Sequence, residues 1–395
     1  MSIRLSFHHT IYACMFAFVC QAVVNLFTPL LFLTFHQEFG ISLAQIGWLV
    51  TVNFCTQLTV DLVCARLSAF IRYRPAILAA HACCSLGMLS LGILPDLLPS
   101  PYIGLCAATI VYSVGSGLLE VLASPIAEAC PTEGKAAYMS LIHSFYCWGC
   151  VGVVVISTLL FHLLGLRHWR WVAALWAIAP ALNFVYFCLV PMNQLVPDDD
   201  GHHGFRALLG KRVFWIAIVL MICAGAAEQA MEQWSSAFVE AALGLSKKFC
   251  DLVGPCLFAI CMGSSRVVFA RYSERLGLRR QMAVSAVIIL AGYLLAALTI
   301  LPVLGLLGCA LCGLGVGVMW PGTLSLASRT LPQGGTMMFA FLALGGDIGC
   351  ATGPTLVGCL AAANGDNLQR AFLAAAVFPV LILLGLANRF ESKSN

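Results

Sequence analysis

Long apolar runs alternate with short polar segments along the whole chain. Each run is roughly 20 residues long, the length that an α-helix needs to cross the hydrocarbon core of a bilayer. A helix also satisfies its own backbone hydrogen bonds in lipid, and these runs are too long for barrel strands. The pattern therefore predicts an all-α membrane protein with twelve transmembrane helices. The predicted spans are residues 10–36, 44–66, 75–95, 101–126, 138–163, 170–191, 211–240, 248–271, 280–301, 303–327, 336–361 and 368–389.

The longest polar connection lies close to the midpoint of the chain, at residues 192–211. It predicts two six-helix bundles, residues 1–191 and 211–395, joined by a linker at 192–210. The first apolar run is expected to span the membrane rather than to be a cleaved signal peptide, because no small-residue cleavage site follows a short apolar core.

The basic residues are distributed unevenly over the predicted loops. With a cytoplasmic N-terminus, fifteen basic residues lie on the cytoplasmic side and five on the other, and Arg266 lies within a span. Cytoplasmic loops of membrane proteins carry an excess of Lys and Arg. The count predicts a multi-pass protein of the cell (inner) membrane with both termini and the central loop in the cytoplasm.

The two halves resemble each other in the spacing of glycine. A shift of 200 residues superimposes six glycine pairs, where about one coincidence is expected: Gly92 and Gly292, Gly115 and Gly315, Gly117 and Gly317, Gly134 and Gly334, Gly149 and Gly349, and Gly165 and Gly365. Near the start of each half, "FGISLAQIGWLV" and "LGLSKKFCDLVG" align with a slightly different offset. Parallel repeats of six helices are typical of secondary transporters.

Composition changes this picture little. The chain of 395 residues is 61% apolar and 10% charged, with a formal net charge of +4. Nearly all of its 19 cysteines lie inside apolar runs, where we expect small packing side chains. The segment "HSFYCWGC" contains Cys147 and Cys150, but a helix closes such a disulfide poorly. His143 and Cys147 have a spacing that suits a metal, but no third and fourth ligand that would complete a site is apparent nearby in the sequence. We therefore predict no metal and no cofactor.

Polar side chains form helical stripes in the first two spans. Gln21 and Asn25 are one turn apart, and Asn53, Gln57 and Asp61 follow at the same interval. Each set lies on one helical face, which favours a wet cavity that binds solute. The alternative is amide hydrogen bonding between packed helices, with Asp61 paired to an arginine at the cytoplasmic end.

Acidic residues inside spans are costly and are treated as functional candidates. Glu120 lies near the middle of the fourth span, where an unpaired carboxyl is expected to be protonated, so that it can carry a coupling proton. Asp347 lies between glycine pairs in the eleventh span, where glycine and proline are expected to loosen the helix. Asp61 completes the predicted proton-coupling set.

The seventh span holds the densest polar cluster, "GAAEQAMEQWSSAF". Carboxylates and amides offer hydrogen bonds to hydroxyl groups, and an indole face stacks on a sugar ring. We therefore predict substrate binding by Glu228, Gln229, Glu232 and Trp234, although Trp234 also fits an interfacial belt. Further predicted substrate-binding residues are His143, Tyr146, Trp148 and Trp320.

The segment "RVVFARYSERLGLRR" resembles the cytoplasmic loop signature of the major facilitator superfamily. The resemblance covers essentially the whole chain and implies the major facilitator fold. It assigns Glu274 and Arg275 to a cytoplasmic gate, and we place the nearby Arg266 there as well. The corresponding loop of the first half departs from the signature, with Ala69 where an acid is expected.

Within the superfamily, "GSGLLEVLASPIAEACP" and "LIHSFYCWGCVG" are similar to the fucose-permease-like sugar:proton symporters through Glu120, Pro125, Phe145 and Gly149. The first span lacks the second coupling acid of that branch. The resemblance implies transport of a small polar solute by alternating access with proton coupling. The alternative is a proton-driven exporter of an amphipathic drug or metabolite.

An enzyme is a different class of function. A membrane haem protein would use His81 and His143, and no hydrolase or phosphate-binding motif occurs in the sequence. We predict no enzymatic activity, no nucleic acid partner and a monomer in the lipid bilayer. The expected partners are a small-molecule substrate and a proton or another coupling ion.

Overall fold

The structure is a computed structural model that describes residues 5–41, 43–67, 70–194, 208–243, 247–299, 301–364 and 367–387. Within these ranges the regular structure is entirely helical. The α-helices are α1 (Phe7–Leu30), α2 (Phe32–Phe39), α3 (Leu43–Leu67), α4 (Tyr73–Leu97), α5 (Pro101–Glu128), α6 (Lys135–Leu164), α7 (Trp169–Leu189), α8 (Arg212–Leu243), α9 (Lys247–Leu276), α10 (Leu278–Leu298), α11 (Pro302–Val316), α12 (Met319–Thr330), α13 (Gly335–Ala363), α14 (Leu368–Ala375) and α15 (Val377–Ala387).

Ten segments of the described chain are long and apolar enough to cross a membrane, two fewer than the sequence predicts. The predicted spans 44–66 and 248–271 fall on α3 and α9, which have 25 and 30 residues but are not among the ten. Buried polar side chains lie within both helices, among them Gln57 and Asp61 in α3 and Arg266 in α9. The number twelve therefore remains a prediction.

Three predicted spans are each built from two helices. Residues 10–36 break at Leu31, between α1 and α2, residues 303–327 break between α11 and α12, and residues 368–389 break at Ala376. A proline lies within three residues of each break: Pro29, Pro321 and Pro379. Proline has no N–H for the carbonyl four residues earlier, so each helix loses a hydrogen bond there.

The chain divides into two compact units. The first unit comprises Met1–Glu133 and Phe145–Val196, and the second comprises Gly134–Ser144 and Pro197–Asn395. In the first unit, α5 packs against α1, α3 and α4, and in the second unit α8 packs against α9, α11 and α13. The domain boundaries predicted from the sequence, which put residues 134–144 in the first bundle, remain a prediction.

Equivalent glycines make equivalent contacts in the two halves. A Cβ atom on Gly117 of α5 would lie 3.4 Å from Cα of Gln57 in α3, and one on Gly317 would lie 2.5 Å from the carbonyl oxygen of Met262 in α9. Gly115 and Gly315 similarly approach α4 and α10. The glycines are 200 residues apart, but their partners Gln57 and Met262 are 205 apart. Relative to the glycine repeat, the sequence of α9 is therefore displaced by five residues from that of α3.

Candidate functional site

The first unit contains a hydrogen-bonded polar cluster around Glu120. Nε2 of Gln21 in α1 donates to Oε2 of Glu120 in α5 over 2.9 Å. Gln21 is buried and Glu120 is half-buried. The bond joins two of the residues that the sequence predicts for solute binding and proton coupling.

Two serines of α5 extend this cluster to the amides of α1 and α3. Oγ of Ser116 lies 3.1 Å from Oδ1 of Asn25 and 3.2 Å from Oε1 of Gln57, and can donate its one proton to either. Oγ of Ser113 donates to Oδ1 of Asn53 over 2.5 Å. The two hydroxyl groups thus lie next to the amide oxygens of three predicted residues. We call the set of Gln21, Asn25, Asn53, Gln57, Ser113, Ser116 and Glu120 the α5 cluster.

The two serines were missed in the sequence, although a signal for them was present. Ser113, Ser116 and Glu120 follow one another at helical spacing, i, i+3 and i+7, and therefore share one face of α5. Serine is common at helix interfaces in membranes, which is why it attracts less attention than an acid or an amide. The close approach of α3 at Gly117 brings its amides within reach of this face.

Asp61 lies one turn beyond Gln57 in α3 and is fully buried. The displacement of 205 residues that relates Gln57 to Met262 relates Asp61 to Arg266. The same position of the repeat therefore carries a buried acid in the first half and a buried base in the second. Arg266 is only 3% exposed.

Arg266 pairs with Glu228 inside the second unit. The distance from its guanidinium Nη2 to Oε2 of Glu228 is 3.7 Å, and both side chains are buried. This separation is longer than a charge-assisted hydrogen bond, so the two groups attract each other without a direct bond at that oxygen. Glu228 belongs to α8 and Arg266 to α9, so the pair links two neighbouring helices.

Arg266 also binds the backbone where α11 and α12 are interrupted. Its Nε donates to the carbonyl oxygen of Gly317 over 2.9 Å. This carbonyl would accept from residue 321 in a regular helix, but Pro321 has no N–H. Nη1 of Arg266 donates to the carbonyl of His143 in α6 over 2.7 Å. Arg266 therefore replaces a hydrogen bond that the helix break removes, and ties three helices together.

The remaining polar residues of α8 divide into two groups. Nε2 of Gln229 donates to Oε2 of Glu232 over 2.8 Å, and Gln233 donates to Gln229. Trp234 instead donates its indole N–H to the carbonyl of Pro354 in α13 over 3.0 Å. A Cβ atom on Gly358 would lie 2.8 Å from this ring, so glycine makes room for it. Trp234 is thus engaged in helix packing.

Asp347 lies in α13 and is buried. The glycines around it serve close packing, because Gly349 and Gly353 contact backbone carbonyls of α8 directly. They do not interrupt α13, which continues through this region to Ala363. Next to Asp347, Gly346 contacts the ring of Trp320, which is 8% exposed, and the buried indole Nε1 has no hydrogen-bond partner among the described residues.

The segment that contains the Cys-x-x-Cys motif has two sides. Cys147 and Cys150 are buried and are not joined by a disulfide. Tyr146 is half-buried, and Trp148 is 40% exposed at the surface of the protein. The imidazole of His143 is buried. Among the described residues, no group of three His, Cys, Asp or Glu side chains could hold a metal ion.

His81 is not available to a haem iron in this arrangement. Its Nδ1 lies 2.7 Å from the carbonyl of Ile77, and its Nε2 lies 2.8 Å from Nδ2 of Asn183. Both ring nitrogens are therefore hydrogen-bonded within the first unit. The backbone of the predicted gate residues Glu274 and Arg275 belongs to α9, but their side chains lie outside the described part of the chain.

The sequence profile of the Major Facilitator Superfamily matches residues 13–354 and 257–394. The chain belongs to this family, whose members are membrane transporters and not enzymes. The predicted membership and the multi-pass membrane character are confirmed. Among curated protein sequences, none matches the chain.

Solved structures of the same fold cover nearly the whole chain. FucP, the fucose:proton symporter of E. coli, matches in its outward conformation with a TM-score of 0.82 at 18% identity, covering 95% of this chain and 97% of that chain. The proton:xylose symporter XylE matches with 0.80 at 13% identity, covering 96% and 94%. The human organic anion transporter MFSD10 matches with 0.74 at 16% identity, covering 96% and 99%. At these identities the likeness establishes the two-bundle fold.

Proposed function

We propose that the protein is a proton-coupled symporter that carries a sugar or a related polar solute across the membrane by alternating access. The observation that supports this most is the α5 cluster, in which an intramembrane carboxylate, Glu120, is hydrogen-bonded to Gln21. An ionisable group inside a membrane protein is expensive and marks a solute or proton pathway.

The chemistry of the α5 cluster suits a polyhydroxylated solute. Its amide groups both donate and accept hydrogen bonds, its serine hydroxyls do the same, and the carboxylate accepts. Each hydroxyl group of a sugar likewise both donates and accepts hydrogen bonds. The fold neighbours FucP and XylE are proton symporters of fucose and xylose, which supports the same class of solute here.

Glu120 serves as the proton carrier in this proposal. When Glu120 is ionised, Gln21 donates to it, and when it is protonated, it becomes a hydrogen-bond donor itself. Binding of a proton therefore changes which hydrogen bonds the cluster can offer to a hydroxyl group of the solute. Because protonation turns Glu120 from an acceptor into a donor, binding of the proton and binding of the solute depend on each other.

Within the second unit, Arg266 and Glu228 form a buried pair, and Gln229 donates a hydrogen bond to Glu232 of α8. We place both termini in the cytoplasm and the protein in the cell membrane, as the distribution of basic residues favours. We also take the monomer as the working unit.

The test is uptake of candidate sugars into vesicles with an imposed pH gradient. Glu120→Gln keeps the size of the side chain but cannot bind and release a proton, so gradient-driven accumulation should be abolished while exchange of solute persists. Glu133→Gln makes the same change at an exposed residue of the first unit and should behave as wild type. Full accumulation by Glu120→Gln would refute Glu120 as the proton carrier.

A further inference from the structure

A cavity of about 640 Å³ that is largely open to the surface of the protein lies between the start of α10 and the end of α15 in the second unit. Its walls include Leu278, Ala283, Leu383 and Leu386, which are all apolar. Two arginines, Arg279 and Arg280, also line it. The volume falls in the range of roughly 300–1,000 Å³ that is typical of ligand sites.

The two arginines of the cavity differ in their contacts. Nε of Arg279 donates to the carbonyl of Leu386 over 2.6 Å and thereby ties α10 to the last turn of α15. Arg280 is exposed, and within the described residues neither arginine forms an ion pair. The cavity therefore combines an apolar wall with two basic residues, of which Arg280 is exposed.

The backbone adds to the positive character of this site. α10 begins at Leu278 after Gly277, whose φ of 74° is in the left-handed region that glycine adopts readily. The first N–H groups of a helix lack intrahelical partners, and the helix dipole is positive at that end. These N–H groups belong to residues 278–280, the segment that also carries the guanidinium of Arg280.

We propose that this cavity, which we call the α10–α15 cavity, binds an anionic phospholipid. The headgroup phosphate lies at Arg280 and the start of α10, and an acyl chain lies along the apolar wall formed by Ala283 and Leu383. Basic pockets between transmembrane helices on the cytoplasmic side bind anionic lipid headgroups. The loop before α10 is on the side that the basic residues predict to be cytoplasmic, where the leaflet carries such lipids.

The experiment measures lipid binding to the purified full-length protein. Phosphatidylglycerol or phosphatidylcholine is titrated into the detergent-solubilised protein, with bound lipid counted by native mass spectrometry and stability followed by the melting temperature. Phosphatidylglycerol should bind more tightly and raise the melting temperature more. Arg280→Gln should weaken its binding about fivefold, the effect of one basic residue near an anionic surface.

Two further variants separate the cavity from general surface charge. Arg329→Gln removes an exposed basic residue of α12 outside the cavity and should leave lipid binding unchanged. Ala283→Trp fills the apolar wall without a change in charge and should weaken phosphatidylglycerol binding. Equal losses for Arg280→Gln and Arg329→Gln, unchanged binding to Ala283→Trp, or the same stabilisation by inorganic phosphate alone would each overturn the proposal.

Discussion

Ser116 joins the amides of two helices through one hydroxyl group. Ser116→Ala removes that group and leaves the amide oxygens of Asn25 and Gln57 without it. Losing a hydrogen bond in a buried setting costs about 1–3 kcal/mol. We therefore expect apparent solute affinity to fall about tenfold, or roughly 1.4 kcal/mol, as measured by the KM for uptake.

The matched control is Ser85→Ala. Ser85 also belongs to the first unit and also donates through its hydroxyl, to the carbonyl of Ala177 over 2.9 Å, but it lies outside the α5 cluster. Its loss should change the melting temperature slightly and leave KM unaltered. If both variants shift KM equally, the effect of Ser116 is on helix packing and not on solute binding.

At the scale of residues, the sequence predicted the one acid and the four amides of the α5 cluster but not the serines that bind them. Gln21, Asn25, Asn53 and Gln57 stand out because an amide is rare in an apolar run. Ser113 and Ser116 do not, because a small hydroxyl residue is compatible with both lipid and protein surroundings. Which serines of α5 form hydrogen bonds with the amides depends on how α1 and α3 pack against α5.

Arg266 stabilises a break between two helices with its own side chain. Arg266→Gln removes the charge opposite Glu228 and weakens the contact with the carbonyl of Gly317. Removing one partner of a buried pair typically costs about 3–5 kcal/mol, because the other charge remains buried. The melting temperature of Arg266→Gln should therefore fall by several degrees, and solute uptake should fall with it.

The double variant Arg266→Gln with Glu228→Gln tests the cause of that loss. It leaves no buried charge at this position, so its melting temperature should lie above that of Arg266→Gln alone. A double variant that is less stable than either single variant would contradict the ion pair as the cause. The loss would then stem from the hydrogen bonds to the carbonyls of Gly317 and His143.

At the scale of helices, hydropathy predicted twelve spans, of which ten are long and apolar enough in the described chain, but it did not predict where spans break. A run such as 303–327 is apolar throughout, and Gly317 and Pro321 do not alter its mean hydropathy enough to divide it. The break follows from a missing N–H and from a cation that compensates for it. Arg266 lies 51 residues before Gly317 in the sequence. Its hydrogen bond to the carbonyl of Gly317 can therefore be seen only in the folded chain.

The two halves of the molecule share a glycine framework but differ in chemistry. Gly115, Gly117 and Gly149 recur 200 residues later, and the later glycines approach the equivalent helices of the second half. The repeat was readable in the sequence because glycine is retained where backbones touch. The buried polar groups differ, with amides and one acid around α5 and an ion pair around α8. The shared glycines therefore indicate a duplication. The predicted solute-binding side chains, in contrast, differ between the two halves.

This asymmetry leads to a prediction about the solute of the whole protein. The uncharged donors and acceptors of the α5 cluster favour a neutral sugar, whereas a buried arginine would favour an organic anion if it were not already paired with Glu228. Ligands that bind the folded state stabilise it, by about 2.7 kcal/mol at a hundredfold excess over Kd. In a thermal-shift screen, neutral sugars should therefore raise the melting temperature by several degrees and organic acids should not.

Ser116→Ala should reduce the shift and Ser85→Ala should preserve it. Stabilisation by organic acids alone would instead make Arg266 the primary solute contact and place this chain closer in function to the organic anion transporters of its fold.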